Sequence, residues 1–316
     1  MKIEYPRIVA IETTNRCNAS CSFCPNSVLA RERTTMSDEL FNKIIDDCSI
    51  FKPESIEPFL NGEPLMDVRI FDRMQYIRKR LPDTKIKLYT NANLLTPEKI
   101  ERLGDVGLES LFVSLNTINN LRYKKIMGLE LEDTLVNLNY LVEAQNKKKI
   151  ADRIIFRMTR TEDTELFEQD KFIKYCKEKG VDHYIVGLFN YKGQIHSPLP
   201  IPNYPCEHID RIDILASGKV ALCCMDQEGE YSWGDVNKDS ILDVFNSIPA
   251  KYYRTMHRIG KRKKIAPCNR CNLFWPTLKH TNFLQRVKMA AEIAEYFLNY
   301  KPSGRKKPER EPFYIN

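Results

Sequence analysis

The run Ile8-Val-Ala-Ile-Glu-Thr-Thr14 leads, across Asn15-Arg16, into Cys17-Asn-Ala-Ser-Cys21-Ser-Phe-Cys24. The first part is a β-branched, apolar stretch and reads as a strand. The second places three thiols within eight residues at that strand's exit. A structural zinc ion normally takes four protein ligands. Three thiolates on a four-iron cluster leave one iron open, so a small molecule can bind the metal directly. A zinc knuckle that borrows its fourth ligand from elsewhere is the competing reading, and spacing alone leaves both standing.

Outward from this stretch, short apolar runs alternate with helical periodicity. Strands are predicted at 8–14, 55–60, 85–90, 110–115, 153–158 and 183–188, and helices at 38–51, 68–81, 96–103, 131–146 and 163–180. Leu40, Phe41, Ile44, Ile45 and Cys48 form one stripe; Ile70, Phe71, Met74 and Ile77 form another. Ser37 and Thr96-Pro97 mark helix starts, and Gly180 a stop. Six strands, most followed by a helix, predict an α/β fold with parallel strands and right-handed crossovers. Periodicity does not choose between a barrel and a doubly wound sheet. In both, ligands gather at the carboxyl ends of the strands, which is where the three cysteines fall.

The chain has 316 residues, a net charge of +7 and 42% hydrophobic residues, enough for two domains or one with an appendage. No apolar run reaches the roughly 18 residues of a membrane helix. Glu4 and Glu12 interrupt the start where an export signal would be apolar. Ten cysteines in clustered spacing, with no route to an oxidising compartment, point to metal ligation in a reducing cytoplasm over disulfides. Cys48 and Cys176 lie in helical stretches without partner spacing and read as core residues. From residue 196 the character changes. Segment 196–204 carries three prolines, 206–275 carries five cysteines, 277–300 is an amphipathic helix, and the tail is charged and proline-rich. The expected division is a core over 1–197, a small cysteine-rich domain over 198–275, and a terminal helix with a mobile basic tail over 276–316.

Cys17-x3-Cys21-x2-Cys24, with Phe23 just before the third cysteine, resembles the radical S-adenosylmethionine (SAM) superfamily. Asn61-Gly62-Glu63-Pro64 after strand 2 resembles that family's GGEP segment, with Asn61 in place of the first glycine. Thr90-Asn91-Ala92 and Ser114-Leu115-Asn116 match further strand ends, followed by Arg157 and by Val186-Gly187-Leu188. The resemblance implies a partial (β/α)6 TIM-like barrel and a [4Fe–4S] cluster on Cys17, Cys21 and Cys24, with SAM chelating the open iron. It implies SAM contacts from Phe23, Gly62, Glu63, Pro64, Asn91, Ser114, Asn116 and Gly187, and a carboxylate partner in Arg157. It also implies reductive cleavage of SAM to a 5′-deoxyadenosyl radical, fed by a donor such as flavodoxin or ferredoxin.

Cys206, Cys223, Cys268 and Cys271 form a second set, in which four thiolates fit zinc or a closed [4Fe–4S] cluster equally. The spacing C-x11-G-x4-C, then Gly234-Asp235-Val236, then C-x2-C, resembles the SPASM/Twitch auxiliary-cluster region, in its one-cluster form. Cys224 can exchange with Cys223 as ligand, or be a spare thiol near substrate. A second cluster can accept an electron from a substrate radical, so the expected reaction is a two-electron oxidation of a small molecule such as a sugar or cyclitol. A peptide-modifying maturase and a non-enzymatic zinc-binding protein are the alternatives. His208, Asp226 and Glu63 are the conceivable proton acceptors, with packing the commoner role for His208. Trp233 and Trp275 read as packing residues. Segment 251–264, with seven Lys/Arg and no acid, reads as a solvated basic face, and no RNA-binding module is visible.

Overall fold

The computed structural model describes residues 3–197 and 199–273, together with Phe283, Leu284, Arg286, Val287, Ala290, Ala291 and Ala294, which are helical. Trp275, most of the predicted 277–300 helix and the tail lie outside the described residues.

Six β/α steps follow one another: β1 (Ile8–Ile11), α1 (Asp38–Phe51), β2 (Ser55–Glu57), α2 (Ile70–Arg80), β3 (Lys85–Thr90), α3 (Pro97–Gly104) and β4 (Leu108–Ser114). Then come α4 (Asn120–Met127), α5 (Leu131–Lys147), β5 (Ala151–Arg160), α6 (Leu166–Glu178) and β6 (Asp182–Gly187). Strands β1 to β6 pair in parallel and in sequence order. A doubly wound sheet reverses its order at a switch point; β1 to β6 run in one direction without such a reversal, as in a partial (β/α)6 barrel. The helix stripes form its outer core: Leu40, Phe41, Ile44, Ile45 and Cys48 of α1 are buried, as are Ile70, Phe71, Met74 and Ile77 of α2. Each such side chain contributes about 1.5–3 kcal/mol on burial. Cys48 and Cys176 are fully buried in this layer.

Two differences from expectation shape the site. Helix α4 is additional to the predicted five; its signals are local, an Asn119 cap on the Arg122 amide and a left-handed Gly128 stop. The cysteine-rich region also continues the barrel's own sheet. β7 (Ile212–Ile214) runs parallel beside β1, and β8 (Lys219–Ala221) and β9 (Gly234–Asp235) extend it antiparallel. Helices α7 (Ile241–Phe245) and α8 (Ile248–Arg258) close that end. Trp233 packs there edge-on to Phe245, 6.0 Å between centroids. No helix among the described residues is long and apolar enough to cross a membrane.

Candidate active site

The three-cysteine loop is held from both sides. Beyond β1 the chain turns to pair with residues 32–35: Thr14 Oγ1 donates to the Thr34 carbonyl at 3.0 Å, Asn15 Nδ2 to that of Glu32 at 2.7 Å. On the other side, the Ser20 and Ser22 amides donate to the Met127 and Ile126 carbonyls, at 3.0 and 2.9 Å. These belong to the last turn of α4, which so supports the cysteine loop. Gly128 follows with φ 68°, and a Cβ there would lie 2.1 Å from Ser20 Oγ. Burial pushes the Cys17 thiol up to about 11, and raises Cys21 and Cys24 as well; metal binding removes these protons.

Gly62 and Glu63 meet this loop from β2. Gly62 has φ 84°, and a Cβ would stand 2.6 Å from the Arg16 carbonyl oxygen. The Glu63 amide donates to that same oxygen at 2.8 Å. The Glu63 carboxylate accepts from Thr90 Oγ1 (2.7 Å), the Asn91 amide (2.8 Å) and the Leu65 amide (3.2 Å). Burial outweighs these bonds and pushes its pKa up to about 7. Asn61 Nδ2 donates to Glu12 Oε1 at 2.8 Å. Glu12 also pairs with Arg31 and accepts from the Ala216 amide at 2.9 Å, so the Asn61 departure ties this segment, through Glu12, to the turn after β7.

A cavity of about 410 Å³ opens inside the barrel at these strand exits. Cys17, Cys21, Cys24, Phe23, Gly62, Glu63, Asn91, Ser114, Asn116 and Arg157 all line it. Pro64 and Gly187 do not: Pro64 starts a short buried 3-10 turn, and Val186 and Leu188 face the cavity on either side of Gly187. The Asn116 side chain is engaged within the fold, accepting from the Thr159 amide at 2.9 Å and donating to Met127 Sδ at 3.0 Å.

The cavity is also lined by residues that belong to no motif. Phe59 and Tyr89 line it and stack on each other, 5.2 Å between centroids, and Phe112 backs Tyr89 at 4.5 Å from outside the lining. The Arg157 guanidinium lies 5.5 Å from the Tyr89 ring centroid, a cation–π contact. Arg211 bridges Glu57 at 2.8 Å and Asp213 at 2.9 Å. His208 also lines the cavity, its Nδ1 3.4 Å from Cys224 Sγ, and burial holds it well below the usual histidine range. It is therefore a wall residue and not surface packing. The signal for this wall was alternation: Tyr89, Ser114, Arg157 and Thr159 occupy cavity-facing positions of β3, β4 and β5, alternating with buried apolar Leu88, Val113, Phe156 and Met158.

Asp226 plays another part. It accepts from Lys192 Nζ at 2.6 Å and from the Leu222, Glu230 and Tyr231 amides, which organises the Cys223-Cys224 loop and commits the Asp226 carboxylate away from the cavity. Lys192 reaches it from a turn in which Tyr191, Lys192 and Gly193 have φ 44°, 63° and 89°. Left-handed non-glycine residues cost about 1–3 kcal/mol each; the buried ion pair helps to offset this.

Cys224 faces the cavity, with Met225 and Leu273 beside it. Cys206, Cys223, Cys268 and Cys271 group behind that wall. Asn190 and Asn272 hold the Cys268–Cys271 turn to the end of β6 through reciprocal amide bonds of 2.8 and 3.2 Å. Among the described residues, no three His, Cys, Asp or Glu side chains converge as one metal ion requires. Thiolates on a single zinc lie about 3.8 Å apart, whereas an iron–sulfur cube takes each on a separate iron and spreads them wider. The all-thiol donor set suits iron–sulfur ligation.

Comparison with known proteins agrees. The model of an iron–sulfur cluster-binding domain matches residues 206–272. An AdoMet-dependent heme synthase of Methanosarcina barkeri is 33% identical over 166 residues, 49% of this chain and 46% of its own, so the chain matches under half of that relative's length. An S-adenosyl-L-methionine-dependent 2-deoxy-scyllo-inosamine dehydrogenase of Niallia circulans is 21% identical over 84% of this chain and 92% of its own. The crystal structure of BtrN in complex with AdoMet and 2-DOIA superposes with a TM-score of 0.64 at 18% identity, covering 89% of this chain and 98% of that one. The radical SAM superfamily model matches residues 11–168, half of the 316, and the chain is a member of that superfamily, with its [4Fe–4S] cluster, S-adenosylmethionine and an auxiliary iron–sulfur domain.

Proposed function

We propose that this protein is a radical SAM oxidoreductase that removes two electrons from a small polyhydroxylated molecule, turning a secondary alcohol into a ketone. One observation carries the reading: Cys224, Met225 and Leu273 make the wall between the cavity of Cys17, Cys21 and Cys24 and the second cysteine set. When bound, the cofactors supply a 5′-deoxyadenosyl radical to take the carbon-bound hydrogen and an auxiliary cluster to take one electron. The chain does the rest. Cys17, Cys21 and Cys24 hold the first cluster, and Cys206, Cys223, Cys268 and Cys271 the second. Glu63, beside the backbone of Gly62, offers a carboxylate to the methionine ammonium. Phe59, Tyr89 and Arg157, which line the cavity, orient the substrate, with Phe112 stacked behind Tyr89. His208, which lines the cavity, is the acceptor we assign to the hydroxyl proton; Asp226 is committed to Lys192. Residues 1–197 form the catalytic unit and 198–275 the auxiliary one, with flavodoxin or ferredoxin as the electron source.

The test is anaerobic turnover with dithionite over a panel of sugars and aminocyclitols, each deuterated at the carbinol carbons. A ketone in proportion to 5′-deoxyadenosine, with the deuterium in 5′-deoxyadenosine, is expected. A product isomeric with its substrate, or turnover with peptides alone, overturns the oxidation. Stoichiometric zinc without iron overturns the whole reading.

A further inference from the structure

Segment 251–264 reads in sequence as a solvated basic face, yet Arg254, His257 and Arg262 are each only 1% exposed. Arg254 is accounted for by Glu4, 3.0 Å away. His257 and Arg262 instead lie against the second cysteine set.

His257 Nδ1 accepts from the Cys206 amide at 3.1 Å. A backbone amide only donates, so Nδ1 carries no proton and the ring hydrogen sits on Nε2. Nε2 lies 3.4 Å from Cys268 Sγ, so His257 directs an N–H at that sulfur. Arg262 donates to the Cys271 and Leu273 carbonyls at 3.0 and 3.1 Å, and its Nε is buried without an acceptor. Its Nη1 also lies 3.5 Å from the Tyr204 carbonyl, two residues before Cys206, so the guanidinium sits between the segments that carry Cys206 and Cys271. Burying a guanidinium against neutral carbonyls is costly. Thiolates ligating a cluster supply the missing counter-charge.

We propose that Arg262 and His257 set the reduction potential of the auxiliary cluster, raising it so that the cluster takes up the electron of a substrate radical. The proposal rests on Cys206, Cys223, Cys268 and Cys271 being that cluster's ligands. Reduction adds one negative charge to a thiolate-ligated cluster. A desolvated cation alongside and an N–H directed at sulfur both stabilise the more negative form; these are the recognised levers of charge and hydrogen bonding to sulfur. The two residues are positioning groups that touch the ligands and not the substrate.

The experiment is a redox titration of the anaerobically reconstituted full chain, followed by EPR. The SAM-binding cluster is identified by its response to added SAM and serves as internal control. Arg262→Gln keeps donors for the carbonyls and removes the charge. Its auxiliary cluster should show a reduction equilibrium constant at least tenfold lower, a shift of about 59 mV for one electron. Arg262→Lys should recover most of that loss, and His257→Phe should lower the constant about threefold, a change expected of losing one modest hydrogen bond. The SAM-binding cluster should not move in any of them. Wild type with about eight irons, and an auxiliary potential unmoved in Arg262→Gln, overturns the tuning alone. Should Arg262→Gln load no auxiliary iron, an unmoved potential in His257→Phe does the same. Wild type with about four irons and one EPR signal overturns the ligand assignment, and the proposal with it.

Discussion

The two cysteine sets solve opposite problems. The first takes three thiols from eight consecutive residues and holds their loop by backbone bonds to residues 32–35 and to the end of α4. All three face the cavity. The second takes four thiols from three separate segments, fixes them through Asn190, Asn272 and Asp226, and embeds them behind the cavity wall against Arg262 and His257. A metal that must bind a small molecule needs open space and one ligand too few. A metal that only exchanges electrons needs full ligation and surroundings that favour the negative charge it gains.

That contrast breaks most sharply by mutation of the thiols. Replacing Cys17, Cys21 and Cys24 together by Ala should abolish 5′-deoxyadenosine formation under dithionite, with iron falling from about eight to about four per chain. Replacing Cys268 and Cys271 by Ala should also halve the iron, but leave uncoupled SAM cleavage while substrate turnover is lost. Cleavage by the first variant would end the division of labour; full turnover by the second would end the auxiliary role.

A smaller effect tests what carries the second set. Lys192 is 4% exposed and Asp226 is fully buried, 2.6 Å apart. Removing one partner of a buried pair costs about 3–5 kcal/mol. Lys192→Met should therefore destabilise the protein by about that amount in denaturant unfolding. Because Asp226 gathers the loop after Cys223, auxiliary iron should be lost on warming before the SAM-binding cluster is. A loss under about 1 kcal/mol, the scale of an exposed pair, would mean the loop is held by its cysteines instead.

The same contrast explains what was legible in the sequence. Cys17-x3-Cys21-x2-Cys24 and Gly62-Glu63 are local, and their geometry follows from a strand exit and a glycine that must approach the Arg16 carbonyl. The helix of residues 38–51 was readable to the residue, because its apolar stripe and Ser37 cap agree. The barrel's closure order was not readable, since periodicity records burial and not neighbours. Nor was the pairing of β7 with β1, which rests on contacts some 200 residues apart. Arg262 and His257 were hidden in a run of like charges, where the spacing of basic residues says nothing about which turn inward. Tyr89 and His208 belong to no motif; only the strand alternation and the chain's return near Cys206 bring them to the cavity.

The smallest effect concerns Glu63, and there pH separates folding from binding. In the cofactor-free protein, burial raises this carboxyl from 4.5 to about 7, so the folded state holds the proton more tightly than the unfolded chain. Its contribution to stability is full below about pH 4.5 and is lost as the pH rises through 7. With the methionine ammonium at the Glu63 carboxylate, as proposed, SAM binding should have the opposite slope. Below pH 7 the proton must first leave, and affinity should fall by up to tenfold per pH unit, with proton release on binding. Glu63→Gln should bind SAM more weakly at pH 8 and show a flat profile from pH 5.5 to 8. Calorimetry in two buffers of different ionisation enthalpy reads both the affinity and the released proton. An unchanged slope in Glu63→Gln would place the ammonium elsewhere, and would leave Glu63 as the clamp that holds the Thr90-Asn91 turn to the cysteine loop.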